Sequence, residues 1–243
     1  MKRLPINTLK AFMEEVFTHI GVPAGDARIC SDILIASDLR GIESHGIGRL
    51  KMYYDRIKAG IQNPVTKIGI LRDKAATAVW NGNHGMGHVV AFRAMETALA
   101  KARQFGLGAV AVRDSTHFGI CGYYAQMACE ENMLGLIFTN ARPSVCPTHG
   151  VQPLLGTNPI CFGAPTDLDF PFIYDAATSI SQRGKIEQYS REEKPTPPGW
   201  AIDLEGNPHT DTNRLLVDLI KQTASLLPIG GSDEISGGHK GYG

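Results

Sequence analysis

The stretch GAVAVRDSTHFGICGYYAQMACEEN, residues 108–132, decides the fold class of this chain. It begins with a short apolar run, Gly108 to Val112, that is typical of a buried strand, and it ends with a helical pattern from Tyr123 to Asn132. A polar segment with His117 at its centre joins the two. In open α/β sheets, ligands bind where a strand passes into a helix, so this stretch predicts both an α/β protein and the position of a site.

The residues before this stretch change in character near Pro64. Before it, apolar residues recur at helical spacing and predict three helices: about 9–20 after Asn7 as a cap, 23–41, and 44–59. After it, the chain favours strands at 67–71, 76–80, 108–112, 134–139, 159–163 and 172–175, with helices at 88–105, 123–132 and 214–226. Residues 187–211, rich in Pro, Gly and charge, are typical of an exposed loop.

This order of elements predicts an α/β protein with two domains. The first is an N-terminal helical segment, residues 1–64. The second is a mixed-sheet domain, residues 65–243, because alternating strands and helices imply βαβ units covered by helices.

The composition excludes several classes of protein. The chain has 243 residues, 24 Lys and Arg against 24 Asp and Glu, and 43% hydrophobic residues, as in a soluble globular protein. A net charge of zero offers no cluster of Lys and Arg for nucleic acid or an anionic membrane. The longest apolar runs are far shorter than the roughly 18 residues of a membrane helix. We therefore predict neither nucleic acid nor a membrane as a partner.

The cysteines and the N-terminus indicate a reducing compartment. The five cysteines are scattered and include no C-x-x-C pair, which favours neither a disulfide framework nor a zinc ribbon. Residues 1–9 lack the apolar region of a secretory signal. We therefore predict a cytoplasmic protein.

Several standard motifs are missing from the sequence. No G-x-G-x-x-G, P-loop, H-E-x-x-H or nucleophile elbow occurs, so the usual signatures of Rossmann folds, phosphoryl transfer and serine hydrolysis are absent. His84 and His88 are four residues apart, which on a helix could direct two imidazoles to one metal ion. Because Gly85 and Gly87 disfavour a regular helix there and no acidic ligand follows nearby, we predict no metal site.

The densest polar cluster is residues 44–53, SHGIGRLKMY. On a helix, His45, Arg49 and Tyr53 would fall at i, i+4 and i+8 and line one stripe. Arg pairs with a carboxylate through two hydrogen bonds, Tyr orients an oxygen, and His exchanges protons near neutral pH. The stripe could therefore bind an anionic substrate; the alternative is an ordinary solvated helix face.

Two further clusters follow predicted strands. His117 lies between a strand and a helix and is an acid/base candidate; the alternative is a turn residue, with Ser115 or Thr116 capping the helix. Residues 155–159 (LGTNP) and 174–179 (YDAATS) combine small residues with an Asp that could bind a ribose hydroxyl.

Together, and in this order, these motifs resemble the malate/L-lactate dehydrogenase family, which does not use the Rossmann fold. The matching segments are 38–46 (DLRGIESHG) with Arg49 and Tyr53, 117–124 (HFGICGYY), 155–159 (LGTNP), 175–179 (DAATS), 183–185 (RGK) and 238–243 (GHKGYG). Residues 139–143 (TNARP) and 198–203 (PGWAID) are similar to the archaeal-type malate dehydrogenases of that family.

The resemblance implies an NAD- or NADP-dependent homodimer that interconverts a 2-hydroxy acid and its 2-oxo acid, with malate or lactate as the first candidates. It implies substrate and dimer contacts for residues 1–64 and a mixed-sheet, non-Rossmann dinucleotide-binding domain for residues 65–243. The residue roles that it implies are His45 and His117 in acid/base catalysis, Ser44, Arg49, Tyr53 and Arg142 at the substrate, and His117, Phe118, Gly119, Ile120, Cys121, Asn140, Asp175, Ala176 and Thr178 at the cofactor.

Three alternatives stay open at this point. Members of the family also act on ureidoglycolate, sulfolactate, diketogulonate or cyclic imines, and pocket details decide among them. The family also continues past the GHKGYG segment into helices that complete the cofactor pocket, so a non-catalytic dimerising fragment is the second alternative. A metal-dependent hydrolase built on the His residues is the third. Neither the choice between NAD and NADP nor the identity of the proton donor, His45 or His117, follows from the sequence.

Overall fold

The computed structural model describes residues 4–231. The chain divides into two compact units. Unit 1 comprises the described residues up to Gly135 together with Gly163–Phe172, and unit 2 comprises Leu136–Phe162 together with the described residues from Ile173 onward. The predicted domains, 1–64 and 65–243, stay a prediction.

Unit 1 begins with helices, as the apolar spacing predicts. α1 spans Ile6–His19, α2 spans Ala24–Leu39, and α3 spans Leu50–Lys58. Their inward faces form one core in which the fully buried side chains include Met13, Phe17, Ala27, Cys30, Leu34 and Tyr53. Asn7 does not cap α1, because the helix already begins at Ile6 with Pro5 at the N-cap position. The extended backbone of Pro5, with ψ of 138°, ends the preceding segment there.

The third predicted helix, 44–59, is wrong in its first half. Two 3-10 turns, Glu43–His45 and Ile47–Arg49, precede α3. Gly46 separates the turns with φ of −90° and ψ of −148°, which no α-helix allows. The cause is tertiary, since the Asp38 carboxylate of α2 accepts the backbone N–H of Ile47 at 2.8 Å and fixes the chain in this path.

The first sheet leads into the segment that carries His117. β1 (Gly69–Asp73) pairs antiparallel with β2 (Thr77–Asn81), and β3 (Ala109–Arg113) pairs parallel with β2. α4 (Gly87–Phe105) connects β2 to β3 and ends at Gly106, which has φ of +78° as the predicted C-cap requires.

The strand that opens the deciding stretch is not buried. Val110 and Val112 pack with Ala78, Trp80 and Ala94, the last of these on α4. Ala109, Ala111 and Arg113 lie on the opposite face and are exposed. The prediction of a buried strand is therefore wrong for one face, because apolar composition alone does not tell which face a helix covers.

α5 (Cys121–Cys129) follows the His117 segment. A second three-stranded sheet has the order β4 (Gly135–Phe138), β5 (Ile160–Ala164), β6 (Phe172–Ala176). Several of its large apolar side chains are exposed, namely Leu136, Phe138, Ile160, Phe172 and Tyr174.

The rest of unit 2 departs from the sequence prediction in two places. The predicted loop 187–211 contains most of α6 (Arg183–Arg191) and a short strand, β7 (Ala201–Asp203). The predicted helix 214–226 corresponds to α7 (Thr212–Lys221), after which β8 (Ala224–Leu226) pairs antiparallel with β7. Gln222 ends α7 because it takes the left-handed conformation, with φ of 60°.

The α/β class with an N-terminal helical segment and mixed strand pairing is confirmed. In the described part of the chain, no helix is both long enough and apolar enough to cross a membrane. The GHKGYG segment, 238–243, lies outside the described residues.

Candidate active site

Four side chains from separate parts of unit 1, one of them His117, form a cluster. His45 comes from the first 3-10 turn, Tyr53 from α3, His88 from α4, and His117 from the segment between β3 and α5. The rings of His45 and His117 stack with centroids 5.4 Å apart. The ring of Tyr53 lies 5.8 Å from that of His117 and 4.8 Å from that of His88, the second contact being edge to face.

Two donors fix the hydrogen bonding of the His117 ring. The Tyr53 hydroxyl lies 2.6 Å from Nδ1, and the backbone N–H of Gly119 donates to the same nitrogen at 3.4 Å. Because a backbone N–H can only donate, Nδ1 must accept, and the proton of the neutral ring sits on Nε2. Gly119 reaches this position with φ of +83°, a conformation that favours glycine.

The surroundings hold His117 neutral and Tyr53 protonated. Desolvation lowers the pKa of His117 well below 6.5, and electrostatic interactions with His45, His88, Arg49 and Arg56 lower this pKa further. Burial raises the pKa of Tyr53 above its usual value of 10.0. The phenol therefore stays protonated over the physiological pH range and donates a hydrogen bond to His117.

The turn that carries His45 is itself tied down. Ser44 Oγ lies 2.9 Å from Nδ1 of His45, and Nε of Arg49 donates to the carbonyl of Ser44 at 2.6 Å. A Cβ at Gly46 would lie 1.7 Å from Oδ1 of Asp38, so only glycine fits beside that carboxylate. Asp38 itself is half-buried, and desolvation raises its pKa.

His88 is fully buried beside this cluster. Among residues 4–231, neither of its ring nitrogens has a hydrogen-bond partner. Burial and the positive charge of His45 lower the pKa of His88 to about 3, so the ring is neutral. His84, which the sequence pairs with it as a possible metal ligand, lies exposed in a turn with φ of 53°. Within the described residues, no group of three His, Cys, Asp or Glu side chains could hold a metal ion.

The predicted helical stripe of His45, Arg49 and Tyr53 does not form, because only Tyr53 lies on an α-helix. Tyr53 also turns inward, with none of its surface exposed, and directs its hydroxyl to His117. The structure nevertheless brings Tyr53 and His45 to one ring, that of His117.

The alternative in which Ser115 or Thr116 caps the following helix is wrong. Thr116 Oγ1 accepts the backbone N–H of Gly87 at 2.9 Å and donates to the carbonyl of Gly85 at 2.7 Å. Thr116 therefore caps α4, two elements earlier in the chain, while Ser115 is exposed.

The segment from His117 to Cys121, for which the sequence predicts cofactor contacts, leads into a helix N-terminus. This helix is α5, whose first turn has no acidic residue and whose N-cap residue, Ile120, supplies no side-chain cap. The N-terminus of a helix attracts negative charge such as a pyrophosphate. Tyr124 donates its hydroxyl to the carbonyl of Phe118 at 2.5 Å and fixes the loop that precedes the helix.

The predicted site residues of unit 2 lie in two segments. Asn140 and Arg142 follow β4 and are exposed, and Arg142 donates to the carbonyl of Leu219 at 3.2 Å. Asp175 and Ala176 end β6. Thr178 follows, and its backbone N–H and hydroxyl both donate to the carbonyl of Thr157, at 2.9 and 3.2 Å. The roles of these residues stay predictions.

Sequence reasoning missed Arg56, Asp38 and the part that His88 plays. Arg56 follows Arg49 by seven residues and Tyr53 by three, a spacing that places Arg56 and Tyr53 near one another on α3 and could have indicated it. No sequence signal links Asp38 to Gly46 or His88 to Tyr53, because these contacts join separate elements.

The protein is therefore an α/β protein with a buried polar site, formed by histidine and tyrosine side chains, at the junction between β3 and α5. The family model described as malate/L-lactate dehydrogenase matches residues 4–243, and the chain belongs to that family.

Individual relatives agree with this assignment. The chain is 48% identical over 241 residues to the malate dehydrogenase of Pyrococcus horikoshii, covering 99% of the chain and 65% of the relative. It is 42% identical over 230 residues to the L-sulfolactate dehydrogenase of Methanothermobacter thermautotrophicus, covering 95% and 63%. The crystal structure of malate dehydrogenase from Entamoeba histolytica superposes with a TM-score of 0.96 at 48% identity, covering 99% of this chain and 67% of that one. The chain therefore spans about 65% of the length of the curated relatives.

Proposed function

We propose that this protein is an NAD- or NADP-dependent oxidoreductase that interconverts a 2-hydroxy acid and its 2-oxo acid, with malate and oxaloacetate as the pair. The observation that carries this proposal is the site around His117, where a neutral imidazole, a second imidazole and two guanidinium groups come together. Such a reaction requires one proton to move and a carboxylate to be neutralised.

The charge around His117 favours a substrate with two negative groups. Arg49 and Arg56 are both near enough to His117 to lower its pKa. A monoanion such as pyruvate needs one guanidinium partner, whereas oxaloacetate offers two carboxylates. Malate is therefore a better match for this site than lactate.

The two histidines differ in what they can do, and we assign them separate roles. His117 stays neutral, so it is not the proton reservoir at neutral pH; its Nε2–H is a hydrogen-bond donor for the oxygen at C2. His45 is then the imidazole that exchanges the proton, with Ser44 at its Nδ1 to orient the ring. Arg49 donates from Nε to the Ser44 carbonyl, and a guanidinium is the group that binds a carboxylate through two parallel hydrogen bonds, so we assign Arg49 to the substrate.

The nicotinamide cofactor supplies the hydride acceptor or donor when it is bound. His117, Phe118, Gly119, Ile120 and Cys121 are the residues that we propose to hold it in unit 1, at the start of α5. The family resemblance also assigns Asn140, Asp175, Ala176 and Thr178 to the cofactor, and that role stays a prediction.

The test is oxidation of NADH and of NADPH by the purified chain with oxaloacetate, pyruvate, sulfopyruvate and a cyclic imine. Turnover with oxaloacetate that exceeds turnover with pyruvate by at least tenfold is the expected result. His45→Ala serves as the inactive control. Equal turnover with pyruvate would contradict the dianion argument. No turnover, with nucleotide titration also silent, would contradict the proposal for this chain and favour the non-catalytic fragment.

Sulfolactate is the second candidate substrate pair. The 42% identical relative named L-sulfolactate dehydrogenase favours it, and sulfopyruvate is likewise an anion with two charged groups. A ratio of kcat/KM for sulfopyruvate over oxaloacetate greater than one would select this alternative.

We also propose a homodimer in the cytoplasm. The family resemblance supports the dimer, and the scattered spacing of the five cysteines, with no C-x-x-C pair, supports a reducing compartment. Light scattering on the purified chain tests the dimer, and a single species at the mass of one chain would contradict it.

A further inference from the structure

His88 is the buried titratable group that the proposed reaction does not use. It lies in the first turn of α4 with none of its surface exposed. A buried polar ring with no hydrogen-bond partner among the described residues is unfavourable and calls for a reason. Its contacts with neighbouring residues supply that reason.

The His88 ring touches both donors to Nδ1 of His117. Its edge-to-face contact with Tyr53 has a centroid distance of 4.8 Å. A Cβ added at Gly119 would lie 3.3 Å from Cδ2 and 3.4 Å from Nε2 of His88, so the ring fills the space beside the Gly119 Cα. One side chain therefore packs against the phenol and against the turn whose N–H is the second donor.

We propose that His88 is a positioning residue that holds Tyr53 and Gly119 in place as the two hydrogen-bond donors to Nδ1 of His117, an inference that rests on the proposed function of His117. His88 makes these contacts by packing, as an uncharged ring. A charged ring at this position would repel the other positive groups around His117.

Those groups come from the two 3-10 turns and from two helices. His45 and Arg49 belong to the 3-10 turns, Arg56 and the neutral Tyr53 to α3, and His88 to α4. A positive charge on any of the four groups His45, Arg49, Arg56 and His88 disfavours a proton on His117. If the two donors loosen, the acceptor site at Nδ1 loses its partners, and protonation of that nitrogen becomes easier.

The experiment is a pH titration of His117 in ¹⁵N-labelled protein, without substrate or cofactor, assigned with a His117→Asn variant. In His88→Ala, we expect the midpoint of His117 ionisation to rise by about one pH unit and the ring to show both tautomers. In His88→Phe, which keeps a neutral planar ring, we expect the wild-type titration. His19→Ala, on the exposed face of α1, is the matched control and leaves it unchanged.

Two results would overturn the proposal: a folded His88→Ala protein with the wild-type titration, or a shift in His88→Phe as large as that in His88→Ala. Should His88→Ala fail to fold, the wild-type spectrum decides. An Nε2–H tautomer of His117 beside a neutral His88 from about pH 5 to pH 8 supports the proposal, and an Nδ1–H tautomer or a charged His88 overturns it. Because no substrate is present, absence of turnover would contradict the proposed function and leave this result standing.

Discussion

The hydroxyl of Tyr53 and Nδ1 of His117 lie 2.6 Å apart although 64 residues separate them in the sequence. Tyr53 is fully buried on α3, and His117 follows β3. This hydrogen bond joins the N-terminal helices to the strand-to-helix junction within unit 1. It fixes which nitrogen of His117 carries the proton, and the first prediction concerns its loss.

Tyr53→Phe removes the hydroxyl and keeps the buried ring. We expect kcat to fall about tenfold with KM nearly unchanged, since one hydrogen bond to a buried nitrogen contributes about 1 kcal/mol or somewhat more. Steady-state kinetics with oxaloacetate measure this. Tyr54→Phe, at the next position on the same helix but exposed, is the control and retains wild-type kcat. A Tyr53→Phe enzyme with unchanged kcat would remove this hydrogen bond from the mechanism.

The separate roles of the two histidines predict different pH profiles. His45→Ala should lower kcat at least a hundredfold and abolish the ionisation that governs kcat/KM, because the proton-exchanging group is gone. His117→Ala should also lower kcat but keep that ionisation, with little change in nucleotide affinity. The pH dependence of kcat/KM in both variants is the measurement. An intact ionisation in His45→Ala would assign the proton exchange to His117 instead.

Arg49→Lys keeps the charge but loses the planar fork and the Nε contact with the Ser44 carbonyl. We expect KM for the 2-oxo acid to rise about tenfold, as is usual when a charged hydrogen bond is lost, and kcat to fall as well because the turn with His45 loosens. Lys51→Ala, exposed on the neighbouring helix turn and paired with Asp55, is the control with unchanged KM. An unchanged KM in Arg49→Lys would point to another cation, Arg56 or Arg142, as the carboxylate partner.

Gly46 and Gly48, two glycines at the 3-10 turns, should differ in their tolerance of alanine. Gly46→Ala places a methyl group against the Asp38 carboxylate, and we expect a loss of about 1–3 kcal/mol in the free energy of unfolding together with reduced kcat. At Gly48 the added Cβ meets only the Glu43 carbonyl at 3.7 Å, an ordinary contact, so Gly48→Ala should retain stability and activity. Urea unfolding of both variants tests this. Equal stability of the two would show that the turn yields without cost.

The buried His88 makes stability depend on pH. Its pKa is about 3 in the folded protein against an ordinary value of 6.5, so between these values the unfolded chain binds the proton and the folded chain does not. The free energy of unfolding therefore falls as pH falls below 6.5, by roughly 2 kcal/mol at about pH 5 from this residue alone.

His88→Phe should lose that share of the pH dependence, whereas His19→Gln, on an exposed residue, should keep it. Urea unfolding of the three proteins at about pH 5 and about pH 7.5 measures the difference. A His88→Phe protein as sensitive to acid as the wild type would show that His88 is not the neutral buried group described above.

The elements of this fold that follow from local pattern could be predicted. The apolar spacing of α1 and α2, the Gly106 cap of α4 and the strand before His117 are set by side-chain period and glycine chemistry, which are local. The 3-10 turns before α3 could not, since the Asp38 carboxylate from another helix dictates them. β8 was also missed, because a short apolar run after a helix is equally compatible with a further helical turn.

The candidate site divides in the same way. The motif residues His45, Arg49, Tyr53 and His117 could be named from residue type and resemblance. The prediction that His45, Arg49 and Tyr53 line one face of a helix is wrong. The cluster forms instead by contacts between α3, the 3-10 turns and the segment after β3.

The sequence by itself determined the class of protein, the α/β order of elements and the residue types at the site, because periodicity, glycine positions and motif chemistry are written along the chain. The tertiary structure alone decided which nitrogen of His117 accepts a hydrogen bond, that Tyr53 is a buried donor, and that the His88 ring lies beside Tyr53 and Gly119, the two donors. The physical reason is that tautomers and pKa values follow from desolvation and from donors brought together by packing, and neither is a property of any local stretch of sequence.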